Sequence, residues 1–249
     1  MSHSIDIFYK SYSKDFGLLH FSLESLKRNV TGYNNVVVLI PEKEKELFDT
    51  SNLPERTLVY YVKEYGQGYL YQQVCKLQAY NYCFAEFIMF SDSDVIFDHK
   101  IDLQDFVTDG KPEILYTDYG KVGDAICWKK PTTDMIGEEM IFEFMRRFPL
   151  IYYRSTLENI AKWKPDLENI IMTSSRFSEF NLIGAYSFKF EPHNYTLINT
   201  DNWTYTEPAV SQVWSHSSKE EGADELHLRE LIRTYETIAK AFGLDFSKL

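Results

Sequence analysis

The chain has 249 residues, 44% of them hydrophobic and 25% charged. That balance suits one folded domain with a proper core and excludes a disordered or fibrous chain. The formal net charge of -11 argues against broad electrostatic binding to nucleic acid, though not against a local basic groove.

Cys75, Cys83 and Cys127 have no metal-site spacing. A sparse, odd count points to a reducing compartment without a disulfide framework, so a cytoplasmic location is expected. Met1-Ser2-His3-Ser4 leads straight into a strand-like run, so no signal peptide is expected. No stretch approaches the roughly 18 apolar residues of a membrane span. Tyr and Phe number 18 each, enough for core packing and for a cleft that stacks on flat ligands.

In chain order, residues 4–9 read as a first strand, and residues 16–29 carry helical spacing through Leu18, Leu19, Leu23 and Leu26. Residues 35–40 form the clearest buried strand, closed by Pro41. A short charged helix over 42–48 and a strand over 57–62 follow. A helix over 69–84 then precedes a strand over 86–90. This β-α-β-α-β-α-β order predicts an α/β fold with a mostly parallel sheet flanked by helices. Such sheets bind ligands at the carboxyl ends of their strands.

The second half is less regular. A strand is expected at 114–116, with helices at 137–147, 156–163, 177–186 and 225–242, the last ended by Gly243. No linker, repeat or low-complexity tract breaks the chain, so a single domain over 1–249 is expected.

The apolar run Phe87-Ile88-Met89-Phe90 stops at Ser91-Asp92-Ser93-Asp94. In an extended segment, residues i and i+2 point the same way, so Asp92 and Asp94 are expected to aim two carboxylates at one point. Two hard oxygen ligands near a phosphate suit Mg²⁺ or Mn²⁺. An Asp after a strand also serves simply as a turn or cap residue.

Gly68-Tyr69-Leu70-Tyr71-Gln72-Gln73-Val74-Cys75-Lys76-Leu77, followed by the acidic pair, resembles the GT-A-fold (Rossmann-like) glycosyltransferases. It looks closest to a bacterial and phage group with a Q-Q-x-x-K-L helix before D-x-D. Arg176-Phe177-Ser178-Glu179-Phe180-Asn181-Leu182-Ile183-Gly184 resembles a second segment of that group. Cys75 departs from the pattern, where an aliphatic residue is usual.

The resemblance implies a hexosyl- or pentosyltransferase that moves a sugar from a nucleotide-sugar, with a UDP-sugar expected. It implies a nucleotide-sugar-binding half over 1–110 and an irregular acceptor-binding half over 111–249. Asp94 would ligate the cation, and Asp92 would contact metal or ribose. His216 would be a third ligand; a lone His is more often structural, and His99 and His193 are rivals.

Gln73 and Lys76 share a helix face, and Lys76 would contact phosphate or sugar as a point charge. Tyr9, Lys10 and Tyr12, at the end of the first strand, would meet the base, such as uracil, with an aromatic ring stacking on it. Tyr65-Gly66-Gln67-Gly68 is a second cleft-loop candidate. Glu179 would be the acid/base carboxylate, with Asp134 and Glu138 as rivals. Arg146, Arg147 and Arg154 would bind an anion or form a solvated face.

The acceptor would be a glycan, a small molecule or a hydroxymethylated DNA base, for which Lys129, Lys130 and the three arginines would have to supply a basic patch. Two other classes compete. A metal-dependent nuclease or phosphotransferase of toprim type also places paired aspartates after a buried strand, with Glu64 as its earlier glutamate. A non-catalytic nucleotide-sugar-binding module would be indifferent to Glu179. A haloacid-dehalogenase pattern fails, because Asp6 has no second aspartate after it.

Overall fold

The computed structural model describes residues 2–145, 149–201, 211–212 and 240. The first strand, β1 (Ile5–Lys10), is buried along its whole length. It lacks polar alternation because a central parallel strand is covered on both faces. There follow α1 (Phe16–Asn29), β2 (Asn35–Pro41), β3 (Thr57–Val62), α2 (Gly68–Leu77) and β4 (Phe87–Phe90).

The second half supplies β5 (Lys111–Asp118), α3 (Lys129–Ile136), β6 (Phe142–Glu143), β7 (Leu150–Tyr153), α4 (Arg154–Trp163), α5 (Leu167–Thr173), α6 (Glu179–Phe190) and β8 (Thr196–Asn199).

The main sheet has the order β7-β4-β1-β2-β3. Strands β1 to β4 pair in parallel, and β7 joins the edge antiparallel to β4, with Leu150 opposite Phe90. The fold is therefore α/β with a largely parallel sheet flanked by helices. The chain runs outward from β1 through β2 to β3, then returns to the other side of β1 as β4. The carboxyl ends of β1 and β4 thus adjoin where the winding direction reverses, which is where such sheets hold ligands.

A smaller sheet sets β5 between β6 and β8. Its approach is a hairpin from Val107–Thr108, closed by Asp109 and Gly110 at φ 52 and 76, the left-handed pair that a tight two-residue turn requires.

Two expected helices differ. The helix expected over 137–147 is absent among the described residues, 137–145. Gly137, at φ 81, ends α3 instead, and Phe142–Glu143 is a strand. A left-handed glycine stops a helix rather than starting one. Met140 and Phe144 are still buried, as their apolar character requires.

The helix expected over 69–84 ends at Leu77. Beyond it, the amides of Phe84 and Ala85 donate to Oδ2 of the buried Asp6, at 2.8 and 3.0 Å, which fixes this segment as a turn leading into β4. Two further elements, α5 and β7, carry no periodicity that distinguishes them from loop. The helix expected at 225–242 lies outside the described residues apart from residue 240.

Candidate active site

The two serines interleaved with the aspartates join strand ends. The Ser91 amide donates to the Phe8 carbonyl at 3.0 Å, and the Ser11 amide donates to the Leu39 carbonyl at 3.1 Å. Ser93 Oγ then donates to Ser11 Oγ at 2.9 Å, tying the end of β4 to the end of β1. All three serines are buried.

The Val95 amide donates to the Asp92 carbonyl at 3.1 Å, so the acidic pair sits on a turn rather than on an extended run. The expectation that strand alternation aligns Asp92 with Asp94 is corrected accordingly. The turn leaves the Asp92 side chain 21% exposed, whereas Asp94 is buried.

Helix α2 brings Gln73 and Lys76 to the same place from the side. Both are buried, at 2% and 3% exposure. Lys76 Nζ lies 2.7 Å from Asp92 Oδ1 and 2.7 Å from Glu179 Oε1, and 4.4 Å from the centroid of the Phe180 ring. Burial pushes the Lys76 ammonium down, but the Asp92 and Glu179 carboxylates outweigh it and hold the group above the ordinary lysine range. One turn earlier on α2, Gln73 Oε1 accepts the backbone N–H of Glu179 at 3.2 Å.

Glu179 opens α6, with Ser178 as its N-cap accepting from the Asn181 amide. A carboxylate in the first turn is favoured by the helix dipole. The start of α6 is locked by Asn181, which is fully buried. Its Oδ1 accepts from Tyr119 OH and from the Phe144 amide, both at 3.0 Å. Its Nδ2 donates to Ser178 Oγ at 3.0 Å and to Glu143 Oε1 at 3.4 Å.

At Gly184, one turn further along α6, a Cβ would stand 2.3 Å from Phe144 Cβ. Only glycine lets the helix lie this close to Phe144.

The base-binding trio is not assembled as expected. Tyr9 is fully buried in the core, with its hydroxyl 3.1 Å from Ser22 Oγ, so no ring face is open for stacking. Lys10 is buried too. Its Nζ donates to the Ser11 carbonyl at 2.9 Å and stands 3.9 Å from Glu64 Oε1, and burial lowers its pKa. Both residues belong to a strand covered on two faces, which turns their side chains inward. Tyr12, just past the strand, keeps partial exposure. Lys76, expected on phosphate, is turned to carboxylates instead.

In the 65–68 loop, Gly66 at φ 66 packs against Met172 of α5. Asp134 and Glu138 are exposed and paired with Lys130 and Lys189. Arg154 is held by the carbonyls of Tyr80 and Cys83 and by Glu158, so it serves the fold. His99 pairs with Asp98 and His193 is exposed. His216, Arg146 and Arg147 lie outside the described residues.

Tyr69 stands in the quoted helix segment without an assigned role, and Glu143 and Tyr152 carried no motif in the sequence. Tyr69 is 48% exposed, and its hydroxyl donates to the Phe177 carbonyl at 3.2 Å. Burial, then the Glu179 charge, push its pKa up to about 12. Glu143 is a fully buried carboxylate on β6. Tyr152 is raised by burial well above the usual phenol range.

No group of three or more His, Cys, Asp or Glu placed to share a metal occurs among the described residues. Asp92 and Asp94 therefore do not make an all-protein cage. Carboxylate oxygens are the donor chemistry of a Mg²⁺-like cation, which takes one or two protein carboxylates and fills its shell with phosphate and water.

No protein-family model matches the chain, and no curated protein matches it. Chemically, the cluster offers a partly open carboxylate, a buried carboxylate at a helix start, and one ammonium joining them.

Proposed function

We propose that the chain is a GT-A-type glycosyltransferase that moves a sugar from a nucleotide-sugar, a UDP-sugar in the first instance, to an acceptor hydroxyl. The observation that carries this reading is the meeting of Asp92, Lys76 and Glu179 within hydrogen-bond distance. These residues come from the three separate segments on which the resemblance rests. They meet at the carboxyl edge of a largely parallel sheet, beside the reversal of strand order.

In this reading residues 1–110 hold the donor and residues 111–249 shape the acceptor side of a single domain. Asp94 and Asp92 would hold Mn²⁺ or Mg²⁺ beside the donor. The cation supplies Lewis-acid stabilisation of the departing diphosphate. The acceptor oxygen forms the new bond to the anomeric carbon as the bond from that carbon to the diphosphate breaks. Glu179 takes the acceptor proton, and Lys76 keeps Asp92 and Glu179 in place while that happens. The acceptor is a glycan, a small molecule or a modified DNA base; the acidic balance of the chain favours the first two.

A toprim-type nuclease is less well supported. Its glutamate would be Glu64, which follows β3, three strand spacings from β4. At about 4.8 Å per spacing that is roughly 14 Å, too far to share a metal with Asp92. Glu64 is also paired with Lys43 at 2.9 Å. A non-catalytic binding module would have no use for a buried glutamate tethered to the donor site.

A thermal-shift screen of nucleotide-sugars with Mn²⁺ tests the proposal. A donor that raises the unfolding temperature in a Mn²⁺-dependent way supports it. Indifference to every nucleotide-sugar contradicts it.

A further inference from the structure

Asp92 and Glu179 share a single cation that is built into the fold. Lys76 is 3% exposed, and its Nζ is held at 2.7 Å by each carboxylate with the Phe180 ring alongside. The two ends of the cluster differ in access. The Asp92 side chain keeps 21% exposure, whereas that of Glu179 keeps 7%. A divalent cation arriving from solvent therefore reaches Asp92 first, and finds that carboxylate already facing an ammonium.

We propose that Lys76 competes with the divalent cation for Asp92, and so couples occupancy of the metal site to the hold on Glu179. This rests on the metal-dependent donor site proposed above. Two positive charges on one carboxylate repel strongly in a site this poorly hydrated. Loading of Asp92 weakens its contact with Lys76 and leaves the ammonium to Glu179. Linkage makes the effect reciprocal: whatever commits Lys76 to Asp92 weakens the metal. Glu179 thereby responds to the donor site without touching it, because the buried Lys76 ammonium is held between the two carboxylates. The pairing also explains why a lysine expected to meet phosphate is turned inward.

The test is the dissociation constant of Mn²⁺ alone, measured by calorimetry on the whole chain for the wild type, Lys76→Met, Glu179→Gln, the double variant and Asp94→Ala. Lys76→Met is expected to bind Mn²⁺ about tenfold more tightly than the wild type, a typical coupling. Glu179→Gln is expected to bind it more weakly, since the whole Lys76 charge then falls on Asp92. In the double variant the weakening is expected to disappear.

A direct field effect of Glu179 on the metal would persist in the double variant at full size, and that result overturns the proposal. Unchanged or weaker binding by Lys76→Met does so as well. If Mn²⁺ binds the wild type and is lost in Asp94→Ala but ignores Lys76, the metal site stands and the coupling falls. If Mn²⁺ binds neither the wild type nor Lys76→Met, the metal site itself falls and takes the coupling with it. Circular dichroism checks the fold of each variant. Lys76→Gln, whose amide can still donate to both carboxylates, replaces Lys76→Met should that variant not fold.

Discussion

Lys76 Nζ and Glu179 Oε1 stand 2.7 Å apart in a site where both side chains are buried, joining α2 to the start of α6. A buried ion pair contributes little over a well-packed apolar pair, but removing one partner strands the other charge. Lys76→Met is therefore expected to cost about 3 kcal/mol of stability, read as a lower denaturation midpoint. Adding Glu179→Gln is expected to recover part of that loss, because it removes one of the two stranded carboxylates. Additive losses in the double variant would contradict this account.

Gly184 faces Phe144 so closely that a Cβ would stand 2.3 Å from Phe144 Cβ. Gly184→Ala is expected to push α6 away from β6 and to cost about 1–3 kcal/mol through overpacking. Glu179 rides on the same helix, so donor-dependent activity should fall by more than the loss of folded protein explains. The measurement is activity per folded molecule beside a urea titration.

Asp6 is buried at 1% exposure. Its Oδ2 accepts the Phe84 and Ala85 amides, and its Oδ1 accepts from Asn35 Nδ2 at 2.9 Å. Asp6→Ala leaves these donors unpaired, with an expected cost of about 2–4 kcal/mol. Hydrogen exchange should speed up first at Phe84 and Ala85, the turn that leads into β4.

The legible part of this chain is its first half, and the reason is burial. Strands such as Ile5–Lys10 and Asn35–Pro41 are covered on both faces, so their middles read as apolar runs, Ile7-Phe8-Tyr9 and Val36-Val37-Val38-Leu39-Ile40. Leu150–Tyr153 has the same chemistry in a single short piece, next to arginines and a proline that suggest a loop. Gly137 misleads in the other direction, since a glycine before a polar-apolar mix resembles a helix start until its φ of 81 is known.

At the site, the shared helix face of Gln73 and Lys76 is read from their spacing, and both side chains do reach Glu179. What they touch depends on tertiary contacts that have no sequence period. Lys76 faces carboxylates because α6 delivers Glu179 to it, and Tyr9 is unavailable because its strand is central. Asn181, which pins Glu179, has no signal beyond lying two residues away.

His20 stacks on Phe48 at 5.1 Å and 18°. Burial lowers its pKa from the ordinary 6.5, partly offset by Asp49. The unfolded chain then binds the proton more readily than the folded one. The contribution of His20 to stability is full above its unfolded pKa and is lost as pH falls through the lowered folded value. Melting temperature should therefore drop on mild acidification below about 6.5, and His20→Phe should flatten that drop while keeping the stack. Parallel profiles for the two proteins would contradict the assignment.

The most direct test of the central claim is calorimetric titration of UDP into the wild type and into Asp94→Ala, each with and without Mn²⁺. UDP is expected to bind the wild type with Mn²⁺ and to lose at least about tenfold in affinity, roughly 1.4 kcal/mol, when either Mn²⁺ or the Asp94 carboxylate is removed. Binding of equal strength in all four titrations would contradict a metal-held donor diphosphate at the end of β4.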